Sequence, residues 1–418
     1  MSERGDRHVR HVALGLCLLT AAGGQAIAGV SGKALYRAGV SVSDADRGDL
    51  VLSDKLAQLG WSGTPGFGWR AKGVARYRRE EALEPDAFKE LSLRELTAKR
   101  DAASWSLSLG KQQVVWGKAD GFPLLDVVNP YDTREFVLDD TNRSRMPLWL
   151  ADASYYWSGQ SLQMLVIPDV KTNRLPEAGG LFYPNPDVPA GVNLDVAHVD
   201  EPAQTPHNWE AGLRWEGRAG DWELGAIAFR GWSNKPVYFT EAEGPTTLRV
   251  TPRPVRRTWL GVDGDVPYGS LVWRFEAAYT PDGYRTVTGP GGVPEQQRTS
   301  LANAVIGVDW TPSNWLLSAQ LFQFEDAPGK PSDLASFEGQ YLSVLAEKYF
   351  LQRRLKLRVF TMTGLEREDL WVSAKTSYRF ARHYKVGVKL DLLGGEPDAF
   401  FGRYANRDRI AITLGYHF

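Results

Sequence analysis

The last ten residues constrain the fold more than any other stretch. They read Arg409-Ile410-Ala411-Ile412-Thr413-Leu414-Gly415-Tyr416-His417-Phe418. Ile410, Ile412, Leu414, Tyr416 and Phe418 are apolar or aromatic, and the residues between them are polar, small or basic. Strict period-two alternation gives a strand one greasy face and one wet face. The segment is one transmembrane β-strand long and ends on an aromatic carboxy-terminus. A globular edge strand can alternate too, so recurrence of the pattern along the chain decides.

It recurs near 68–78, 91–100, 103–116, 147–157, 161–168, 208–216, 221–233, 255–265, 270–280, 300–310, 314–325, 341–350, 355–363, 369–380, 384–393 and 409–418. These runs predict an all-β antiparallel transmembrane barrel of about 16 strands, an even number as closure requires. Short links alternate with long ones. Asp101-Ala102, Ser158-Gly159-Gln160, Thr311-Pro312-Ser313 and Ala381 to His383 are short; 79–90, 117–146, 169–207, 234–254, 281–299, 326–340 and 394–408 are long. Short periplasmic turns and long external loops are the habit of outer-membrane barrels. Trp215, Trp222, Trp310, Trp315, Phe380 and Tyr384 flank the short links, where an interfacial girdle belongs.

A chain of 418 residues is long for one ordinary core but normal for a large barrel. Its net charge of −1 gives no case for nucleic-acid binding. Arg4, Arg7 and Arg10, the apolar run Val12–Thr20 and the site Ala26-Ile27-Ala28 read as a signal peptide over 1–28. The only cysteine, Cys17, falls within it, so no disulfide is expected in the exported chain. Residues 29–67 read as a periplasmic lead, a plug or extra strand material, and 68–418 as the barrel.

On lipid-facing strands charge is costly at the bilayer midplane, so charged residues turn inward. Arg70, Lys72, Arg76 and Arg78 then line the lumen, with Lys356, Arg358, Lys375, Arg379, Lys385, Lys389 and Arg409. Closure makes their strands neighbours, giving a basic wall. Glu210, Arg214, Glu216, Glu223, Arg274 and Glu276 give the far side more acid. Two walls of unequal sign set up a transverse field and steer a charged solute.

The link 117–146 is too apolar for a loop in water. Leu124, Leu125, Val127, Val128, Phe136, Val137 and Leu138 want burial, and the barrel interior is the nearest place. The expectation is a loop folded into the lumen that narrows it; an external lid is the alternative. Asp120, Asp126, Asp132, Glu135, Asp139 and Asp140 then face the basic wall or pair with Arg134, Arg143 and Arg145, so part of this charge is structural.

Gly110 to Gly121, Asp126-Val127-Val128-Asn129-Pro130 and Ser144-Arg145-Met146-Pro147-Leu148-Trp149 resemble a signature of uncharacterised proteobacterial porin-like outer-membrane proteins, a family of unknown function distantly similar to alginate-export barrels. The resemblance is specific over about 40 residues, the span these motifs cover, and implies a barrel in the outer membrane. It supplies no substrate.

No phosphate loop is present, and no histidines have tight metal-ligand spacing. His198 with Asp195 and Asp200 reads as a solvated loop. Ser373 and His383, the nearest serine–histidine pair for a barrel esterase, read as lumenal and periplasmic respectively. No enzyme and no cofactor are expected. The reading is a porin-like channel for small hydrophilic anionic solutes in the outer membrane of a Gram-negative bacterium. The alternative is a transporter of lipids or other hydrophobic compounds. Expected partners are outer-membrane lipid, an anionic small molecule or oligomer, the barrel-assembly machinery through Phe418, and further copies of the chain.

Overall fold

The computed structural model describes residues 27–44, 46–183, 193–244, 246–289, 293–325 and 338–418. The signal-peptide expectation lies outside the described residues except at its last two positions. The strands are β1 (Ile27–Ser41), β2 (Leu50–Gly66), β3 (Trp69–Glu80), β4 (Phe88–Asp101), β5 (Trp105–Gln112), β6 (Leu148–Trp157), β7 (Gln160–Ile167), β8 (Asn193–Val196), β9 (Glu210–Ala219), β10 (Trp222–Trp232), β11 (Val237–Ala242), β12 (Thr247–Arg253), β13 (Arg256–Tyr268), β14 (Leu271–Thr288), β15 (Pro294–Trp310), β16 (Trp315–Phe324), β17 (Gly339–Phe350), β18 (Leu355–Gly364), β19 (Asp369–Arg379), β20 (Tyr384–Gly395) and β21 (Arg409–His417).

Eighteen of them form one antiparallel sheet in which each strand pairs with its neighbour in the chain. β8, β11 and β12 stand apart as a three-stranded sheet on the long-link side. β21 also pairs with β1, from Lys33 opposite His417 to Ser41 opposite Arg409, and this closes the ring. No edge is left to present unpaired N–H and C=O groups. Among the described residues, no helix is long and apolar enough to cross a membrane.

The barrel thus has 18 strands, not the expected 16 or so. The sixteen anticipated runs all form, and the two additional strands come from 29–67. That segment is neither plug nor periplasmic lead; it is β1 and β2, and the barrel begins at Ile27. The wall also takes up much of the expected long link after β14, which continues to Thr288 past a bulge between Thr280 and Gly283 and pairs there with the start of β15 at Pro294.

The short links keep to one side. The tight turn Ser158-Gly159 has φ of 42° and 76°, the left-handed pair a two-residue hairpin needs. Beside these links Trp105, Trp222, Trp273, Trp310, Trp315, Phe380, Tyr384 and Tyr416 are exposed outward. Tyr384 packs on both Phe380 and Tyr416 at 5.8 and 5.1 Å. The outward face of β21 is Ile410, Ile412, Leu414 and Tyr416, all exposed, while Arg409 and Ala411 are buried inside. On β21 the alternation read from the sequence therefore assigns the faces as the structure does.

The core lies inside the ring. Residues 113–147, between β5 and β6, pass through the lumen with one helical turn, α1 (Thr141–Ser144). Their Trp116, Phe122, Leu124, Leu125, Val127, Val128, Phe136 and Leu138 pack against inward residues of the wall, including Phe229, Phe324, Phe360, Trp371 and Leu393. Phe122 alone meets Phe324, Trp371, Phe400 and Phe401 edge-on at 6.2–6.5 Å.

Candidate functional site

The loop bridges the lumen between opposite walls. Counting round the ring, β14 stands diametrically across from β2. On the β14 side, the carboxylate of Glu276 is 2% exposed. It accepts the backbone N–H groups of Lys118 and Ala119, and those of Leu124 and Leu125 at 2.8 and 3.3 Å. One carboxylate so satisfies four donors of a turn with no secondary structure of its own. Arg274, also on β14, donates to the Lys118 carbonyl at 2.7 Å and to Asp120 at 2.9 Å. Gln320 of β16 donates to Asp120 at 3.0 Å, and Lys118 pairs with Asp265. Inward-facing Gly212 and Gly261 make room here: a Cβ on Gly212 would lie 2.7 Å from the Trp116 ring, and one on Gly261 2.4 Å from Leu125.

The second half of the loop docks on the basic wall. Glu135 accepts from Arg37 of β1 at 2.7 and 3.2 Å, from Arg78 of β3 at 2.7 Å and from Arg409 of β21 at 3.0 Å. Asp54 of β2 takes further N–H groups of Arg37 at 2.7 and 2.9 Å and of Arg78 at 2.8 Å. Burial opposes ionisation of Glu135, yet Arg37, Arg409 and Arg78 outweigh it and hold its carboxyl well below the usual range. Asp139 joins the same cluster, 3.4 Å from Arg37 and 3.6 Å from Arg78. Lys389 donates to the Leu138 carbonyl at 2.7 Å and Lys375 to Asp140 at 2.8 Å. Arg76 and Arg94 donate to carbonyls at the end of α1, those of Arg143 and Arg145 at 3.3 and 2.7 Å.

The remaining loop charges pair within the loop or close to it. Arg145 binds Asp126 and the Tyr131 hydroxyl. Arg143 binds Asp139 and Asp140. Asp132 is held by Arg134 at 2.7 Å; burial pushes its carboxyl up, but Arg134, Arg174 and Arg78 bring it down to about 2. Of the acids expected on the basic wall, Glu135, Asp139 and Asp140 are there, while Asp120 is on the opposite one.

The basic residues divide into two groups. Arg78 and Arg409 are 3% and 1% exposed, and Arg76 is 7% exposed. Together with Lys389 they fasten the loop and do not line open lumen, because the loop lies on them. β1 and β2 also separate β3 from β21, so the wall runs through Lys33 and Arg37, which the sequence reading left out. Their four-residue spacing puts both on one strand face. Toward the short links, Arg70 pairs with Asp101, Lys72 with Glu95 at 2.7 Å, and Lys356 and Arg358 with Glu347 at 2.7 and 3.7 Å. Lys33, Arg379 and Lys385 have no ion pair among the described residues. Arg379 and Lys385 are direct cross-strand partners. Lys385 is within electrostatic reach of Lys375, Lys356 and Arg379, and Lys33 of Arg143, Arg76 and Arg94, with Asp140 near both.

Ser373 and His383 are not brought together. Ser373 donates to Asp391 at 2.8 Å, and His383 meets the His417 carbonyl. Among the described residues no group of His, Cys, Asp and Glu is arranged to hold a metal.

The model of the DUF1302 family, described as proteins of unknown function, matches residues 86–418. The chain belongs to that family. No curated protein matches it in sequence. Among solved structures, Pseudomonas aeruginosa OccK2 (OpdF) is similar with a TM-score of 0.55 at 10% identity, covering 93% of this chain and 97% of that one. Pseudomonas aeruginosa OccK8 (OprE) gives the same four values. OccK2 in complex with glucuronate gives 0.51 at 12% identity over 93% and 97%. These neighbours are outer-membrane porin β-barrels, and the shared feature is the fold.

Proposed function

We propose that this member of the DUF1302 family is a porin-like channel in the outer membrane of a Gram-negative bacterium, passing small hydrophilic anions by diffusion beside the loop that bridges its lumen. The observation that carries the reading is the Arg379–Lys385 pair. Like charges directly opposite each other destabilise a sheet, and here neither has an ion-pair partner among the described residues. Lys33, Lys356 and Lys375 surround the same space. A passing carboxylate or phosphate relieves that repulsion, and a low-dielectric wall strengthens the field it feels. Loop-fastening arginines are neutralised by Glu135, Asp54 and Asp139, so the selectivity is assigned to the half-exposed cations toward the short links.

A carrier of hydrophobic compounds is the weaker reading. It drew on the apolar part of the loop and on a plug at 29–67. The apolar side chains are already packed against the wall, and 29–67 is wall itself.

The test is single-channel conductance of the refolded protein in a planar bilayer under a salt gradient, with glucuronate as a first organic anion. Discrete open levels with anion preference are expected, and Lys33→Gln/Arg379→Gln/Lys385→Gln should lower that preference. A folded barrel that does not conduct, or a variant with unchanged selectivity, overturns the proposal.

A further inference from the structure

We propose that Lys55, Arg79 and Lys89, on the outer surface of the barrel, bind the phosphorylated sugar head group of an outer-leaflet glycolipid. The inference rests on the outer-membrane placement proposed above, though not on conduction or its selectivity.

The faces follow from the ion cluster inside. Asp54 and Arg78 point into the lumen, so their chain neighbours Lys55 and Arg79 point out. Phe88 lies beneath the guanidinium of Arg134 inside the barrel, 3.6 Å from its ring centre, so Lys89 points out as well. The register lines the three up: Lys55 is opposite Arg79, and Arg79 is opposite Lys89. Their side chains stand in the open, with Lys55 and Arg79 about half exposed at 51% and 49%.

Three adjacent cations in one cross-strand row repel one another. Glu81 is the carboxylate beside them, taking Lys55 at 2.5 Å and Arg79 at 2.6 Å. Lys89 has no ion pair among the described residues. The row keeps a net positive charge that the protein itself does not balance.

Its height fits a head group. The row borders the long link between β3 and β4, on the external side. Beyond it the outward residues turn apolar: Ala57 and Leu59 on β2, Ala75 and Tyr77 on β3, Leu91 and Leu93 on β4. At the short-link end the same faces carry Trp61 and Trp69. The order along each strand is therefore cation, apolar belt, aromatic, so the cations sit where acyl chains give way to head groups. Arginine and lysine side by side suit a phosphate, which takes directed N–H bonds from the guanidinium and charge from the ammonium.

The test compares the intact barrel with Lys55→Gln/Arg79→Gln/Lys89→Gln in neutral-lipid nanodiscs. Bound lipid is counted by native mass spectrometry with bisphosphoryl lipid A, its dephosphorylated form, and phosphatidylglycerol. Retention of bisphosphoryl lipid A should exceed that of the dephosphorylated form by about tenfold, and the variant should lose most of that preference, since the basic residues supply the attraction for the anionic head group. Equal retention of the two forms, an unaffected variant, or equal row-dependent retention of phosphatidylglycerol overturns the inference. Failure of the folded protein to enter nanodiscs would count instead against the membrane placement.

Discussion

Glu276 and Glu135 fix the two halves of a single loop to opposite walls of the barrel. Glu276 is on the wall and gathers loop N–H groups; Glu135 is on the loop and gathers wall guanidinium groups. The loop is thereby a strut under two independent restraints, with an apolar core between them. A strut narrows the lumen, and it also ties opposite arcs of the ring to one another.

Release of the loop should need both anchors to fail. Breaking a buried ion pair by removing one partner costs about 3–5 kcal/mol, and unsatisfied buried N–H groups cost about 1–3 kcal/mol each. Glu135→Gln and Glu276→Ala singly should leave the main conductance level within about twofold and add noise, because the other anchor and the aromatic core still hold. The double variant should show a clearly larger open level. Single-channel recording of the four proteins decides this, and a full increase in either single variant would refute the two-anchor arrangement.

The same loop can be displaced without touching a charge. A side chain on Gly261 enters the space of Leu125. Gly261→Val should cost about 1–3 kcal/mol as overpacking and raise conductance, while Gly394→Ala, near the end of β20 where nothing lies within 4 Å of an added Cβ, should leave conductance unaltered. Both are read from heat-modifiable migration in gels and from channel size. Unchanged conductance in folded Gly261→Val would mean that Leu125 does not set the opening.

What was legible in the sequence follows from contrast between the two faces of a strand. β21 alternates Ile, Ile, Leu and Tyr against Arg, Ala, Thr and Gly, and the lipid face could be read off directly. β2 breaks that code. Leu52 and Leu56 point inward and are buried, at 0% and 3% exposed, whereas Lys55 points outward. The interior is apolar wherever the loop packs, so alternation fades there, and β1 and β2 stayed unplaced. The inward course of the loop was visible from its leucines and valines. Which arginines it would neutralise was not, because Arg37, Arg78 and Arg409 meet at Glu135 only after ring closure sets β21 beside β1, β2 and β3.

Anion preference should weaken with salt. The cations assigned to selectivity are half-exposed, and screening over a Debye length of about 10 Å at 0.1 M shrinks to about 3 Å at 1 M. The reversal potential under a fixed concentration ratio should move toward the unselective value when mean ionic strength is raised over that range. A preference that does not depend on salt would place the selective charges in the buried cluster around Glu135.

Asp86 makes one external contact sensitive to pH. It lies in the link between β3 and β4, is 3% exposed and accepts the Glu177 N–H at 2.8 Å, joining this link to the one after β7. Burial raises its carboxyl from 3.8 to about 6, against the pull of that N–H and of Arg134. A raised acid is protonated more readily in the folded link than in an opened one. The contact is therefore tightest near and below pH 4, weakens as pH rises toward 6, and is level above that. Hydrogen exchange of residues 176–183, corrected for the intrinsic rate, should show protection falling between pH 4 and 6.5. Asp86→Asn removes the titrating group and should flatten the profile. An equal slope in the variant would assign the pH dependence to another group.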